Sequence, residues 1–140
     1  MNVVYALSAY PVGILSDRLG RRPMLVAGFV ALIVADLILA FAPGLVGVTI
    51  GVAFWGLHMG MTQGSLAAYV TDTTPNTLRG SAFGIFNFTS GIALLLAGLI
   101  AGLLWDLIGP QMTFLAGAAF TVAGLMGMAV LARVQRWTTG

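Results

Sequence analysis

Residues 13–22 read GILSDRLGRR, and the charge gathered in this stretch decides how the rest of the chain is read. The 140 residues include ten charged ones, six arginines and four aspartates, and four of the ten (Asp17, Arg18, Arg21 and Arg22) fall here. Lysine, glutamate and cysteine are absent. Hydrophobic residues make up 59% and charged residues 7%, with a mean hydropathy of +1.02. A soluble domain carries about 25% charged residues. A chain with so few cannot coat its own surface for water, so its medium is expected to be lipid.

Composition also excludes several chemistries. Without cysteine there are no disulfides and no thiolate metal sites. One histidine and four scattered aspartates give no metal-ligating spacing, and no metal or other cofactor is expected. No nucleophile–base pair or phosphate-binding loop is present, so an enzyme is not expected. The net charge of +2 offers no basic face for nucleic acid. A signal peptide needs positive charge ahead of its apolar run; here the arginines follow it.

Apolar stretches of about 20 residues read as membrane helices. Five occur, at about 1–15, 24–42, 46–70, 80–104 and 112–132. The reading is an all-α membrane protein with a single domain over residues 1–140. The first span covers only about 22 Å at 1.5 Å per residue, against a hydrocarbon core of about 30 Å. That shortfall leads us to expect that Met1 is an internal residue of a longer chain. All six arginines (18, 21, 22, 79, 133 and 136) fall on one side of the five spans. The positive-inside rule makes that side cytoplasmic, with the N-terminus outside and the C-terminus inside a cell membrane. A faint internal echo is also present. Gly13, Asp17 and Gly20 share their spacing with Gly102, Asp106 and Gly109, as an inverted repeat would.

With this topology in place, GILSDRLGRR resembles the signature loop of the major facilitator superfamily, G-x-L-x-D-R-x-G-R-R. Gly13, Leu15, Asp17, Arg18, Gly20, Arg21 and Arg22 all fill the pattern. TPNTLRGSAFG (residues 74–84), which holds Arg79, resembles the cytoplasmic loop two helices later in such transporters. The resemblance covers essentially the whole chain. It implies five helices of a six-helix half-bundle, from a twelve-helix transporter that moves a small solute by alternating access. The partners it implies are the solute, membrane lipids and the missing half of the same transporter. Because the chain stops soon after its fifth span, helices eight to twelve, in the C-terminal half, are expected. Gly98 stands where first-half drug antiporters of the family often carry proline, which counts against drug–proton antiport.

Several residues stand out as candidates. Gly13 and Gly20 permit a tight turn and close backbone approach. Asp17 suits a helix N-terminus, and Arg18, Arg21 and Arg22 suit carboxylates, helix C-termini or lipid headgroups. These residues and Arg79 form a topogenic clamp or, as the resemblance implies, a gate. In the third span Trp55, His58, Thr62, Ser65, Tyr69 and Asp72 recur at helical spacing and share a face. The resemblance makes this helix a cavity-lining one, with Trp55, His58, Thr62 and Ser65 as solute candidates; the alternative is that they bond to neighbouring helices. Gly56, Gly60 and Gly64 form a small-residue packing stripe, as do Gly98 and Gly102 in the fourth span, where Asn87 is either a cavity donor or interhelical glue. His58 and Asp36 are ionisable groups inside spans and hence proton-coupling candidates, although Asp36 equally suits a pairing with a neighbouring helix. A small stand-alone membrane protein that packs or oligomerises through its glycine stripes is the competing reading.

Overall fold

Five helices follow one another with almost no connecting chain. In the computed structural model α1 spans Asn2–Leu19, α2 Arg21–Phe41, α3 Gly44–Thr73, α4 Arg79–Leu107 and α5 Pro110–Thr138. A single 3-10 turn, Asn76–Leu78, precedes α4. The structure describes the backbone of residues 2–42 and 44–138, and the side chains of these except at 2, 8, 9, 16–18 and 134–138. The side chains of Asp17 and Arg18 therefore lie outside the described residues. No strand occurs among the described residues.

Three of the four corners turn at glycine. Gly20, Gly44 and Gly109 have φ of +90°, +79° and +113°, a left-handed backbone that other residues adopt only with strain. Gly20 is the whole connection between α1 and α2. The expected loop at 13–22 is thus mostly helix. Nothing between Gly13 and Leu19 breaks α1, and Arg21 already begins α2 with Pro23 tolerated in its first turn. Gly13 lies within α1, and a Cβ there meets nothing within 4 Å among the described residues. At the other end of the bundle α4 closes with Ile108 and Gly109 both donating to the Leu104 carbonyl at 3.0 Å, and Pro110 opens α5. The Asp-x-x-Gly echo therefore marks two helix–glycine–helix corners of the same kind.

Among the described residues, four helical stretches are long and apolar enough to cross a membrane: Arg21–Phe41, Gly44–Thr73, Asn76–Leu107 and Pro110–Arg133. The chain is an all-α, multi-pass membrane protein. Helix α2 is the hub, packed against α3 on one side and α5 on another, while α3 also packs on α1. Helix α4 has no buried residue, and Leu94, Leu95, Leu96, Leu99 and Leu103 stand exposed along it. In water such a surface would drive aggregation; in a bilayer it is ordinary.

The α2–α3 contact is the closest in the fold, and small residues make it so. An ideal Cβ on Gly47 falls 2.5 Å from the Ala42 Cβ, one on Gly51 falls 2.6 Å from Leu39 Cγ, and one on Gly28 falls 2.7 Å from Thr62 Cγ2. Ala31 and Ala35 are buried on the same helix as Gly28. Gly56 and Gly60 of the expected stripe are buried as well. Gly64, Gly98 and Gly102 are exposed, with nothing within 4 Å of an added Cβ among the described residues. Within this chain these three glycines meet no neighbouring helix among the described residues. Replacing Gly47 with alanine drives a methyl into Ala42 and its backbone, and overpacking of this kind costs about 1–3 kcal/mol. Gly64→Ala should instead be neutral or stabilising by up to about 1 kcal/mol, from helix propensity. Unfolding midpoints of the two variants in detergent, compared with the parent chain, check this ordering.

Candidate functional site

The antiparallel α2–α3 pair makes four successive contacts along one seam. From one end to the other, Ala42 meets Gly47, Leu39 meets Gly51, Gly28 meets Thr62, and Arg21 meets Asp72. Each pair follows from the one before, because two helices locked at their glycines have no freedom of register.

At the arginine-bearing end, Arg21 Nε donates to Asp72 Oδ2 at 2.6 Å. The side chains are 28% and 54% exposed, so solvent screens the pair. It joins the residue after the Gly20 corner to the last turn of α3, 51 positions away in the chain. Sequence reading singled out both residues but did not pair them, since nothing in the string fixes which turn of α3 lies opposite Arg21. Arg79 is exposed at the start of α4, on the same side of the bundle. Arg22 lines a cavity of about 560 Å³ between α2, α3 and α5, together with Leu25, Leu66, Tyr69, Leu125 and Met128.

In the middle of the seam, His58 Nδ1 lies 2.9 Å from the Gly28 carbonyl oxygen. A carbonyl only accepts, so the ring nitrogen donates. Phe29 stacks on the imidazole at 6.2 Å between centroids and 30° between planes. The close approach at Gly28 makes this bond geometrically accessible, and no spacing along the chain points to it. Thr62 and Ser65, expected to face a cavity, are buried at 5% and 3% exposure. Their hydroxyls donate back along α3, to the His58 carbonyl at 2.9 Å and the Met61 carbonyl at 2.7 Å. Within this chain the bare Gly28 lets α3 sink into α2 beside Thr62. Trp55 is partly exposed and Asn87 is exposed on α4.

Asp36 lies on another face of α2. It is 5% exposed, and its Oδ2 sits 2.8 Å from where a Cβ on Gly117 of α5 would be. The carboxyl group fills the space left by that missing side chain. Nearby, Thr121 Oγ1 donates to the Gly117 carbonyl at 2.9 Å. Among the described residues no cluster of three metal-ligating side chains occurs.

The corner at Gly20 is tied through Arg21 to the last turn of α3. The family model for the Major Facilitator Superfamily matches residues 1–138. The chain belongs to the major facilitator superfamily. Among its relatives in this superfamily is an uncharacterized MFS-type transporter of Methanocaldococcus jannaschii, 35% identical over 126 residues; the match covers 89% of this chain and 31% of that protein. The class C tetracycline resistance protein of Escherichia coli is 33% identical over 120 residues, 86% of this chain and 30% of the relative. The inner membrane transport protein YajR of Escherichia coli is 26% identical over 124 residues, 89% and 27% respectively. The chain spans under a third of the length of these curated relatives. No solved structure matches it.

The Asp36–Gly117 contact yields a direct test. Gly117→Ala should destabilise the fold by about 1–3 kcal/mol, because the new methyl and the carboxyl group claim one space. In an Asp36→Ala background the same substitution should cost clearly less. A double-mutant cycle on detergent unfolding measures the difference, and additivity of the two changes would show that the residues do not touch.

Proposed function

We propose that the chain is part of a secondary transporter that moves a small solute across a membrane by alternating access, together with further helices that supply the rest of the pathway. The observation that carries this reading is the Arg21–Asp72 pair, which ties the signature corner to the end of α3. In this reading the arginine-bearing end is cytoplasmic, which places the N-terminus outside and the C-terminus inside. Helix α3 presents its exposed positions to the solute pathway, beginning with the partly open Trp55. The pair acts as a latch: while it holds, the ends of α2 and α3 move together; when it parts, the cytoplasmic end opens. His58 and Asp36 are the candidates for proton coupling, as ionisable groups within the spans. Two of the similar proteins are named for tetracycline resistance. That supports a small-solute cargo and goes no further.

The latch is separable from a structural clamp by magnitude. A screened, partly exposed ion pair contributes about 0–1 kcal/mol to stability. Arg21→Ala and Asp72→Ala should therefore leave the unfolding midpoint nearly unchanged. In the full-length transporter carrying this segment, each should slow solute flux in vesicles by tenfold or more at equal membrane abundance. The exchanged pair, Arg21→Asp with Asp72→Arg, should restore much of the flux. Flux unaffected by either single change would reject the latch. A stable homo-oligomer of the 140-residue chain that transports nothing would favour the stand-alone reading instead.

A further inference from the structure

We infer that the Gly28 carbonyl holds His58 in the tautomer with hydrogen on Nδ1, leaving Nε2 as a bare lone-pair acceptor for a hydrogen donor: a proton, or an N–H or O–H group of the solute. The inference deepens the transporter reading and rests on it for the solute; the ring chemistry stands without it. Three observations converge on the ring. Nδ1 is 2.9 Å from the Gly28 oxygen, which has no hydrogen to give. Phe29 lies over the imidazole at 6.2 Å and resists its rotation out of that geometry. Gly28 and Thr62 are in such close approach that the carbonyl cannot drift away from α3. A neutral imidazole carries one hydrogen, so a ring that donates through Nδ1 accepts through Nε2. The usual preference of a free side chain for the other tautomer is overridden by a backbone acceptor fixed within a helix.

Gly28 and Phe29 are then positioning residues and His58 the binding one. The titratable and charged groups on the surrounding helices are few. On α2 they are Arg21 and Arg22, about two turns toward one end, and Asp36, about two turns toward the other. On α3 Tyr69 and Asp72 follow three and four turns along; α1 brings Tyr5, Tyr10, Asp17 and Arg18; α4 brings Arg79 and Asp106 near its two ends, and α5 brings Arg133 and Arg136 near its C-terminal end. The accepting nitrogen is therefore set by a backbone group that does not itself titrate. A proton bound at Nε2 leaves the Nδ1 bond intact, so the ring changes charge without releasing α2.

His58 is the sole histidine in the sequence, so one ring gives the whole signal. The chain, labelled with 15N-histidine in lipid nanodiscs, is read by two-bond 15N–1H correlation. The expected result at neutral pH is a protonated, pyrrole-type Nδ1 and a bare, pyridine-type Nε2. A ring with hydrogen on Nε2, or an average of both tautomers, overturns the inference. Phe29→Leu keeps the carbonyl and should keep Nδ1 protonated while raising exchange; loss of the tautomer in Gly28→Ala supports the positioning role if that variant folds, and the parent spectrum decides the matter if it does not. On acidification Nε2 alone should move to the pyrrole-type range while Nδ1 stays protonated, as an accepting Nε2 requires; acid protonation that arrives at Nδ1 instead overturns the inference. Because no transport is measured, the experiment fails independently of the transporter reading: a transporting parent with the opposite tautomer overturns only this inference.

Discussion

The structure depends on how closely α2 and α3 approach. Glycines at 28, 47 and 51 remove the side chains that would hold the helices apart, and the facing atoms move into that space. In a bilayer apolar side chains gain little by leaving lipid for one another, so tight backbone packing carries the association. The approach fixes register, and register fixes everything polar along the seam. Arg21 reaches Asp72, and His58 reaches the Gly28 carbonyl. A one-turn slip would move each partner about 5.4 Å and break both.

The helices were legible because their signal is composition. Four of the five apolar runs are long, and glycine, proline or arginine marks most of their ends. Helix bounds moved outward where polar residues continue a helix past the hydrocarbon core, as at Ser16–Leu19 and at Thr71–Thr73. The signature corner was legible as a motif but not as a shape: the string suggests a ten-residue loop, and one glycine does the turning. The interhelical contacts were not legible. Spacing places Trp55, His58, Thr62 and Ser65 on one face, but no periodicity states which helix lies against that face. Gly47 and Gly51 form a small-x-x-x-small run of their own, but neither that run nor the lone Gly28 states which residues of the neighbouring helix lie against it.

Helix α4 shows the opposite condition. It is 29 residues long, has no buried residue, and carries Gly84, Gly91, Gly98 and Gly102 with nothing within 4 Å of an added Cβ among the described residues. The asymmetry between a tightly seamed α2–α3 pair and an open α4 is what distinguishes the interior of this segment from its margin.

The Gly20 corner has a mechanical meaning beyond its conformation. A linker of several residues absorbs strain, and two helices joined by one can tilt separately. A single residue between Leu19 and Arg21 stores almost no slack. The ends of α1 and α2 are thereby kept one residue apart, and Arg21 ties that same point to the last turn of α3. Three helix ends thus converge on one glycine and one solvent-screened ion pair.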